Sequence, residues 1–194
     1  MIRRHLWPAI SMTIVLMVVT GLAYPLVVTG IAQLLFPRQA NGSIVTRDGR
    51  AIGSQLIGQQ FSASRYFHSR PSAAGSGYDP LASGGTNRGP TDRKLADTMI
   101  AGAIDSVVAQ DGAHRGSIPA DLVTSSASGL DPDISPASAA IQVARVARAR
   151  NTDSATVAAI VAAHVHPRQL WILGEPRVNV LSLNLALDSM LAHR

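Results

Sequence analysis

From His5 to Pro37 the chain carries no Asp, Glu, Lys or Arg, and the run includes Ile14-Val15-Leu16-Met17-Val18-Val19 and Leu26-Val27-Val28. At about 1.5 Å of rise per residue, roughly 20 residues cross the hydrocarbon core of a bilayer, so this stretch predicts one membrane-spanning helix with room for tilt. A cleaved signal peptide would have an apolar region of only about 7 to 15 residues followed by a small-residue cleavage site. Here the apolar character continues through Leu34-Leu35-Phe36. Pro8 suits a first helical turn, Pro25 predicts a kink after Tyr24, and Pro37 is expected to stop the helix. Thr20, Gly21, Thr29 and Gly30 are small or hydroxylated, the residue types that let a second transmembrane helix approach closely. The same residues are also simply tolerated in membrane helices, and the pattern does not choose between the two readings.

The expected organisation is residues 1–37 as a tail and single transmembrane helix, and residues 38–194 as one soluble α+β domain. Arg3 and Arg4 lie before the helix, while Arg38, Arg47 and Arg50 follow it, so the positive charges barely set the orientation. A short cytoplasmic tail with an extracytoplasmic domain is the reading adopted. The net charge of +5 is not a nucleic-acid signal. Residues 37–194 hold fifteen Lys/Arg against twelve Asp/Glu, and the basic side chains are scattered, without the interleaved aromatics of a single-strand binder. Cysteine is absent, which removes disulfides, thiolate nucleophiles and Cys-ligated zinc.

Within the domain, Ser43–Thr46 and Ala51–Ile57 flank an Asp48-Gly49 pair that suits a tight hairpin turn. Phe61, Tyr66 and Phe67 form an aromatic core edge. Leu95, Met99, Ile100, Ala103, Ile104, Val107 and Val108 recur at helical spacing after Thr91 or Asp92 as a cap, with Gly112 closing the pattern. A second helix begins at Ser135-Pro136, with Arg145 and Arg148 expected on its exposed side. A third runs from about Asp153 to Val165, ended by Pro167. Leu170-Trp171-Ile172-Leu173 reads as a short strand. Asn179 is a cap for a last helix through Leu191, although Leu181, Leu183, Leu185 and Leu187 alternate as a strand would.

Between Phe67 and Thr91 lies a stretch, residues 70–92, in which Gly, Ser, Pro and Ala supply fourteen of twenty-three residues. Its composition resembles a slack linker. Its position between a core edge and a capped helix predicts instead an ordered loop pinned by Tyr78 and Leu81. Ser83-Gly84-Gly85-Thr86-Asn87, flanked by Arg70 and Arg88, has the backbone amides, hydroxyls and guanidiniums that a phosphate site uses.

Linear catalytic motifs are missing. The one Lys, Lys94, is followed by Leu95, which excludes a P-loop, and Thr124–Gly129 lacks the spacing of a nucleophile elbow. Asp131-Pro132-Asp133 and His164-Val165-His166 are each short of a full metal ligand set. A pocket assembling His68, Asp131 and His164 would be the enzyme reading.

Several motifs, in order, carry a resemblance over nearly the whole chain. They are Tyr24-Pro25-Leu26, Thr29-Gly30-Ile31-Ala32-Gln33, Gln39-Ala40-Asn41-Gly42-Ser43, Phe67-His68-Ser69-Arg70-Pro71-Ser72-Ala73, Ser83-Gly84-Gly85-Thr86-Asn87, Gly129-Leu130-Asp131-Pro132 and Leu173–Leu181. Together they resemble the C-subunit family of the Kdp potassium-transporting ATPases. The resemblance implies a place in an inner-membrane complex with a potassium-translocating subunit, a P-type ATPase subunit and a small peptide. ATP hydrolysis and ion selection would then reside in partner chains, and no cofactor is assigned to this one. Potassium would be the transported ion. The implied role is assembly of the complex, with two accounts of how the subunit acts: as a catalytic chaperone raising the ATP affinity of the ATPase subunit, or as an external domain over the ion entrance. Direct contact by a single-pass domain cannot serve both. Arg70, Ser83, Gly84, Gly85, Asn87 and Arg88 are the expected partner or nucleotide contacts, and a nucleotide-binding regulatory module is the alternative. Leu81-Ala82-Ser83-Gly84-Gly85-Thr86 departs from an ABC-type signature by an extra Ala and by Thr after Gly-Gly.

Overall fold

The computed structural model describes residues 2–191, and the chain divides into two compact units, residues 1–44 and 45–194. The first unit is a helical run in three parts. Helix α1 (Ile2–Val18) passes through a wide π-type turn at Val19–Ala23 into α2 (Tyr24–Leu35). The wide turn lies directly ahead of Pro25, whose missing N–H and ring disfavour a regular α-turn there. Thr20 Oγ1 donates to the Leu16 carbonyl at 2.7 Å within it. The apolar side chains of this unit are exposed from Leu6 through Phe36, as a lipid-facing helix requires.

One proline expectation changes and another holds. Pro8 sits inside α1 rather than in its first turn, because helix begins by Ile2. Pro37 stops α2 as expected: Phe36 leaves the helical region at φ −137° and ψ 52°, since helical backbone is disfavoured for a residue ahead of proline, and Pro37 then opens a short helix α3 (Pro37–Ala40). Asn41 then closes the unit by exchanging amide hydrogen bonds with Gln33, at 3.1 and 3.3 Å.

In the second unit, β1 (Ile44–Arg47) and β2 (Arg50–Ser54) form the expected hairpin. Asp48 and Gly49 have φ of 51° and 74°, the two left-handed residues of a type I′ turn. Helix α4 (Ala101–Asp111) follows a π-type stretch at Lys94–Ile100, and Gly112 at φ 68° ends it by donating to the Val108 carbonyl. Asp92 caps the start, accepting from the amides of Lys94 and Leu95 at 2.8 and 3.3 Å.

Strand β3 (Asp133–Ile134) leads into α5 (Pro136–Ala149), α6 (Ser154–Ala163), β4 (Val165–His166), β5 (Arg177–Asn179) and α7 (Val180–Leu191). The three strands pair antiparallel in the order β3-β5-β4, with Val178 opposite both Ile134 and Val165. Ser135 caps α5 through the Ser138 amide, Asp153 caps α6 through the Thr156 amide, and Asn179 caps α7 through the Ser182 amide, each at 3.0 Å. A cap at Asn179 commits the alternating leucines to helix. Leu183 and Leu187, one turn apart, are then fully buried together.

The core joins these elements through Phe67, Ile134, Val146, Val157, Ile160, Val178, Leu183 and Leu187. Phe67 reaches it from a loop, and two buried amides hold that loop in place. Asn184 accepts from the Phe67 N–H at 2.8 Å and donates to its carbonyl at 3.0 Å. Gln142 does the same for His68 at 2.7 and 3.2 Å. Side chains from α7 and α5 thereby replace a missing strand neighbour.

Three further expectations are corrected. Arg145 is buried, not exposed, because it forms an ion pair with Asp111 at 2.7 Å and also donates to the carbonyls of Ser64 and Tyr66. Helix α6 ends at Ala163, where His164 Nδ1 turns back on the Ile160 carbonyl at 2.8 Å and the chain enters β4. Leu170–Leu173 is not a strand: Leu170 and Trp171 have φ of 50° and 69°, which closes a tight turn.

Candidate functional site

The Gly/Ser-rich stretch is an ordered loop laid against residues 126–131. Ser72 organises its first half: its hydroxyl donates to the Gly129 carbonyl at 2.6 Å and accepts from the amides of Ala74 and Tyr78 at 3.2 and 2.8 Å. Tyr78 has φ 57°, and its hydroxyl donates to the Arg70 carbonyl. Burial holds the Tyr78 hydroxyl's pKa above the usual phenol value, with a hydrogen bond to Ser69 opposing this. Tyr78 therefore pins the loop as expected. Leu81 does not, being 95% exposed, and the buried apolar anchor is Ala74, at 0%.

The second half is tied by backbone. The Gly84 amide and the Ser83 hydroxyl both donate to the Ser128 carbonyl, at 2.9 and 3.0 Å. The approach is close enough that a Cβ on Gly129, at φ 68°, would lie 2.6 Å from the Gly84 carbonyl oxygen and 2.7 Å from the Ala74 nitrogen. A Cβ on Gly85 would lie 3.1 Å from the Ala127 carbonyl oxygen. Asn87 turns the chain at φ 52°.

The two flanking guanidiniums do not converge on a common anion position. Arg70 Nη1 pairs with Asp131 at 2.9 Å, and Arg88 Nη1 pairs with Asp92 at 2.7 Å. The Arg88 hydrogen bond holds the Asp92 carboxyl below the ordinary carboxylate range, helped by the amides of Lys94 and Leu95. Arg70 Nε is buried with no hydrogen-bond partner. Arg70 also lines a cavity of about 640 Å³ with Asp121, Asp131, Asp133, Glu175 and Arg177. All of these charges but that of Asp121 are matched in ion pairs. Arg177 meets Asp133 at 3.0 Å, and Arg168 meets both oxygens of Glu175 at 2.7 and 2.6 Å. Asp121 accepts from the Ser135 amide and from the hydroxyls of Ser135 and Ser138. Asp121 had no local signal in the sequence, and Asp133 and Arg177, though they fall in sequence motifs, meet one another only through the fold.

His68, Asp131 and His164 have separate commitments: His68 to Ala63 and Arg145, Asp131 to Arg70 and the Asp133 amide, His164 to Ile160. The second strongly tied region lies around Tyr66, whose hydroxyl donates to Asp188 at 3.0 Å. Arg65 and Arg150 stand 5.4 and 5.2 Å from its ring centroid. In the first unit, Thr20 and Gly21 lie in the wide turn, and Thr29 and Gly30 lie in α2, roughly 13 Å further along the axis. A Cβ on Gly21 or Gly30 would meet nothing within 4 Å.

One long apolar N-terminal helix, with the length and composition to cross a bilayer, followed by a helix-and-sheet domain whose main polar loop is built down onto its own body, gives the class: a mixed α+β protein with one candidate membrane span. The chain belongs to the KdpC family, described as K+-transporting ATPase, c chain, which matches residues 6–189. A potassium-transporting ATPase KdpC subunit of Gemmatimonas aurantiaca is 65% identical over 190 residues, covering 97% of this chain and 94% of that protein. The KdpC subunit of Allorhizobium ampelinum is 59% identical, covering 95% and 96%, and that of Rhodospirillum rubrum is 53% identical, covering 98% and 99%. Membership of this family makes the chain a subunit of a K+-transporting ATPase complex.

Proposed function

We propose that this chain is a non-catalytic, single-pass accessory subunit that assembles and stabilises the potassium-importing complex. In this reading residues 1–37 anchor it in the inner membrane with a cytoplasmic tail, and residues 38–194 form an extracytoplasmic domain. Its partners are the potassium-translocating subunit, the P-type ATPase subunit and the small peptide subunit. Thr20, Gly21, Thr29 and Gly30 face a partner helix, and Arg70, Ser83, Gly84, Gly85, Asn87 and Arg88 form a rim that meets partner backbone. Any rise in ATP affinity of the ATPase subunit is then transmitted through assembly rather than by nucleotide contact.

The observation that carries this reading is the internal use of the loop's binding groups. Arg70 and Arg88 are paired with Asp131 and Asp92, and the Gly84 amide is spent on Ser128. A phosphate site needs such donors free and convergent. A rigid surface of small residues needs them tied down.

Affinity purification of the complex through a tag on another subunit tests the reading. The chain is expected to copurify in fixed proportion, and its deletion is expected to leave the remaining subunits dissociated in detergent. An active, intact complex lacking the chain would contradict the assembly role. Saturable ATP binding by the isolated full-length chain, weakened by Arg88→Ala, would instead establish the nucleotide-binding module.

A further inference from the structure

The tip of the turn between β4 and β5, residues 170–173, lies outside the cavity described above. Leu170, Trp171, Ile172 and Leu173 are 77%, 87%, 74% and 53% exposed, four consecutive large apolar side chains in water. Their surface is on the order of several hundred Å², the size at which an exposed apolar patch signals a contact. Leu170 and Trp171 are also left-handed, a conformation that bulky side chains disfavour.

The turn is nevertheless held firmly. Gln169 and Leu173 exchange both backbone hydrogen bonds at 2.9 Å, the Trp171 amide donates to Arg168 at 3.3 Å, and the Ile172 amide donates to Gln169 at 3.2 Å. At its base, the ion pair of Arg168 with Glu175 neutralises both charges. The tip thus presents apolar side chains while four of its amides are already satisfied. That combination suits an apolar medium, where unpaired backbone groups are costly. A protein partner adding a strand would need free amides here. Trp favours the interfacial layer of a bilayer, where its ring is apolar and its N–H stays wet. The domain is also tethered closely to the apolar helix, because α2 ends at Leu35 and β1 begins at Ile44, and the residues between span at most about 3.6 Å each.

We propose that the Leu170–Leu173 turn inserts into the interfacial layer of the bilayer and gives the domain a second hold on the membrane. The proposal rests on the N-terminal helix lying in that membrane.

The two tryptophans, Trp7 and Trp171, allow each hold to be read separately. Full-length Trp7→Phe chain, with Trp171 as its one tryptophan, is reconstituted into phosphatidylethanolamine/phosphatidylglycerol vesicles carrying acyl chains brominated near the headgroup or near the midplane. Blue-shifted emission is expected, quenched more by the shallow bromines than by the deep ones and protected from aqueous iodide. Ile172→Asp in the same background is expected to restore iodide quenching. Trp171 quenched by iodide and by neither bromolipid, while Trp7 in a Trp171→Phe chain is quenched by bromolipid, would overturn the proposal and leave the anchor intact. Loss of bromolipid quenching at both positions would overturn the anchor as well. Shielding of Trp171 only after the other subunits are added, without lipid quenching, would assign the tip to a protein partner and overturn the proposal too.

Discussion

Arg145 occupies a position that charge alone assigns to solvent, yet its side chain is 6% exposed and that of its partner Asp111 is 4%. The guanidinium satisfies Asp111, Gln142 and the carbonyls of Ser64 and Tyr66, so it binds α5 to the end of α4 and to the loop carrying Phe67. Arg145→Ala would leave Asp111 buried and unpaired, a loss of about 3–5 kcal/mol. Denaturant unfolding in detergent would measure it, and Arg145→Met with Asp111→Leu should recover most of the loss. His68 sits beside this pair. Burial first, and Arg145 second, push its imidazole below the usual value of about 6.5. The folded state therefore favours the neutral ring, and the unfolded chain binds more protons as pH falls. Stability is full above the unfolded value and declines as pH drops from there through the lowered folded value. His68→Gln should flatten unfolding midpoints across that window. An equally steep midpoint profile in the variant would remove His68 as the cause.

The elements themselves were largely legible, because caps and turns act locally. Asp48-Gly49, Asp92, Gly112, Ser135, Asp153 and Asn179 each punctuate the chain through groups within four residues. What escaped local reading was long-range. Size and apolar character point to Leu81 as the loop's pin, but Ala74 is the buried residue, since Gly129 brings a second backbone close against it. Charge alone assigns Arg145 to solvent, and its partner Asp111 lies on another helix. Leu170–Leu173 has the composition of a strand, whereas it forms the turn between β4 and β5, which pair with each other. The loop packing yields a paired prediction. Gly129→Ala combines positive φ with backbone contacts under 3 Å, and should cost about 2–3 kcal/mol. Gly89→Ala, with open space around its Cβ, should change stability by less than about 0.5 kcal/mol. Thermal unfolding of the two variants side by side checks whether the 70–92 segment is built onto residues 126–131 or merely drapes over them.

At the scale of the whole molecule, an apolar helix precedes a domain whose charged side chains largely answer one another, and whose Gly/Ser-rich loop is tied to residues 126–131. The chain's ordered motifs contain fold-critical residues: Phe67 in the core, Gly129 at the loop crossing and Asn179 at the α7 cap. Which surface meets which subunit was not, because nothing in one chain records its partner. The direct measurement is photo-crosslinking from position 81, where Leu81 projects from the loop at 95% exposure and makes no contact that its replacement would break. With a photoreactive residue there, irradiation of membranes containing the complete complex is predicted to give an adduct with another subunit of the ATPase. A complex that copurifies intact but yields no subunit adduct from position 81, while positions elsewhere on the domain do, would contradict the assignment of this loop as the docking rim.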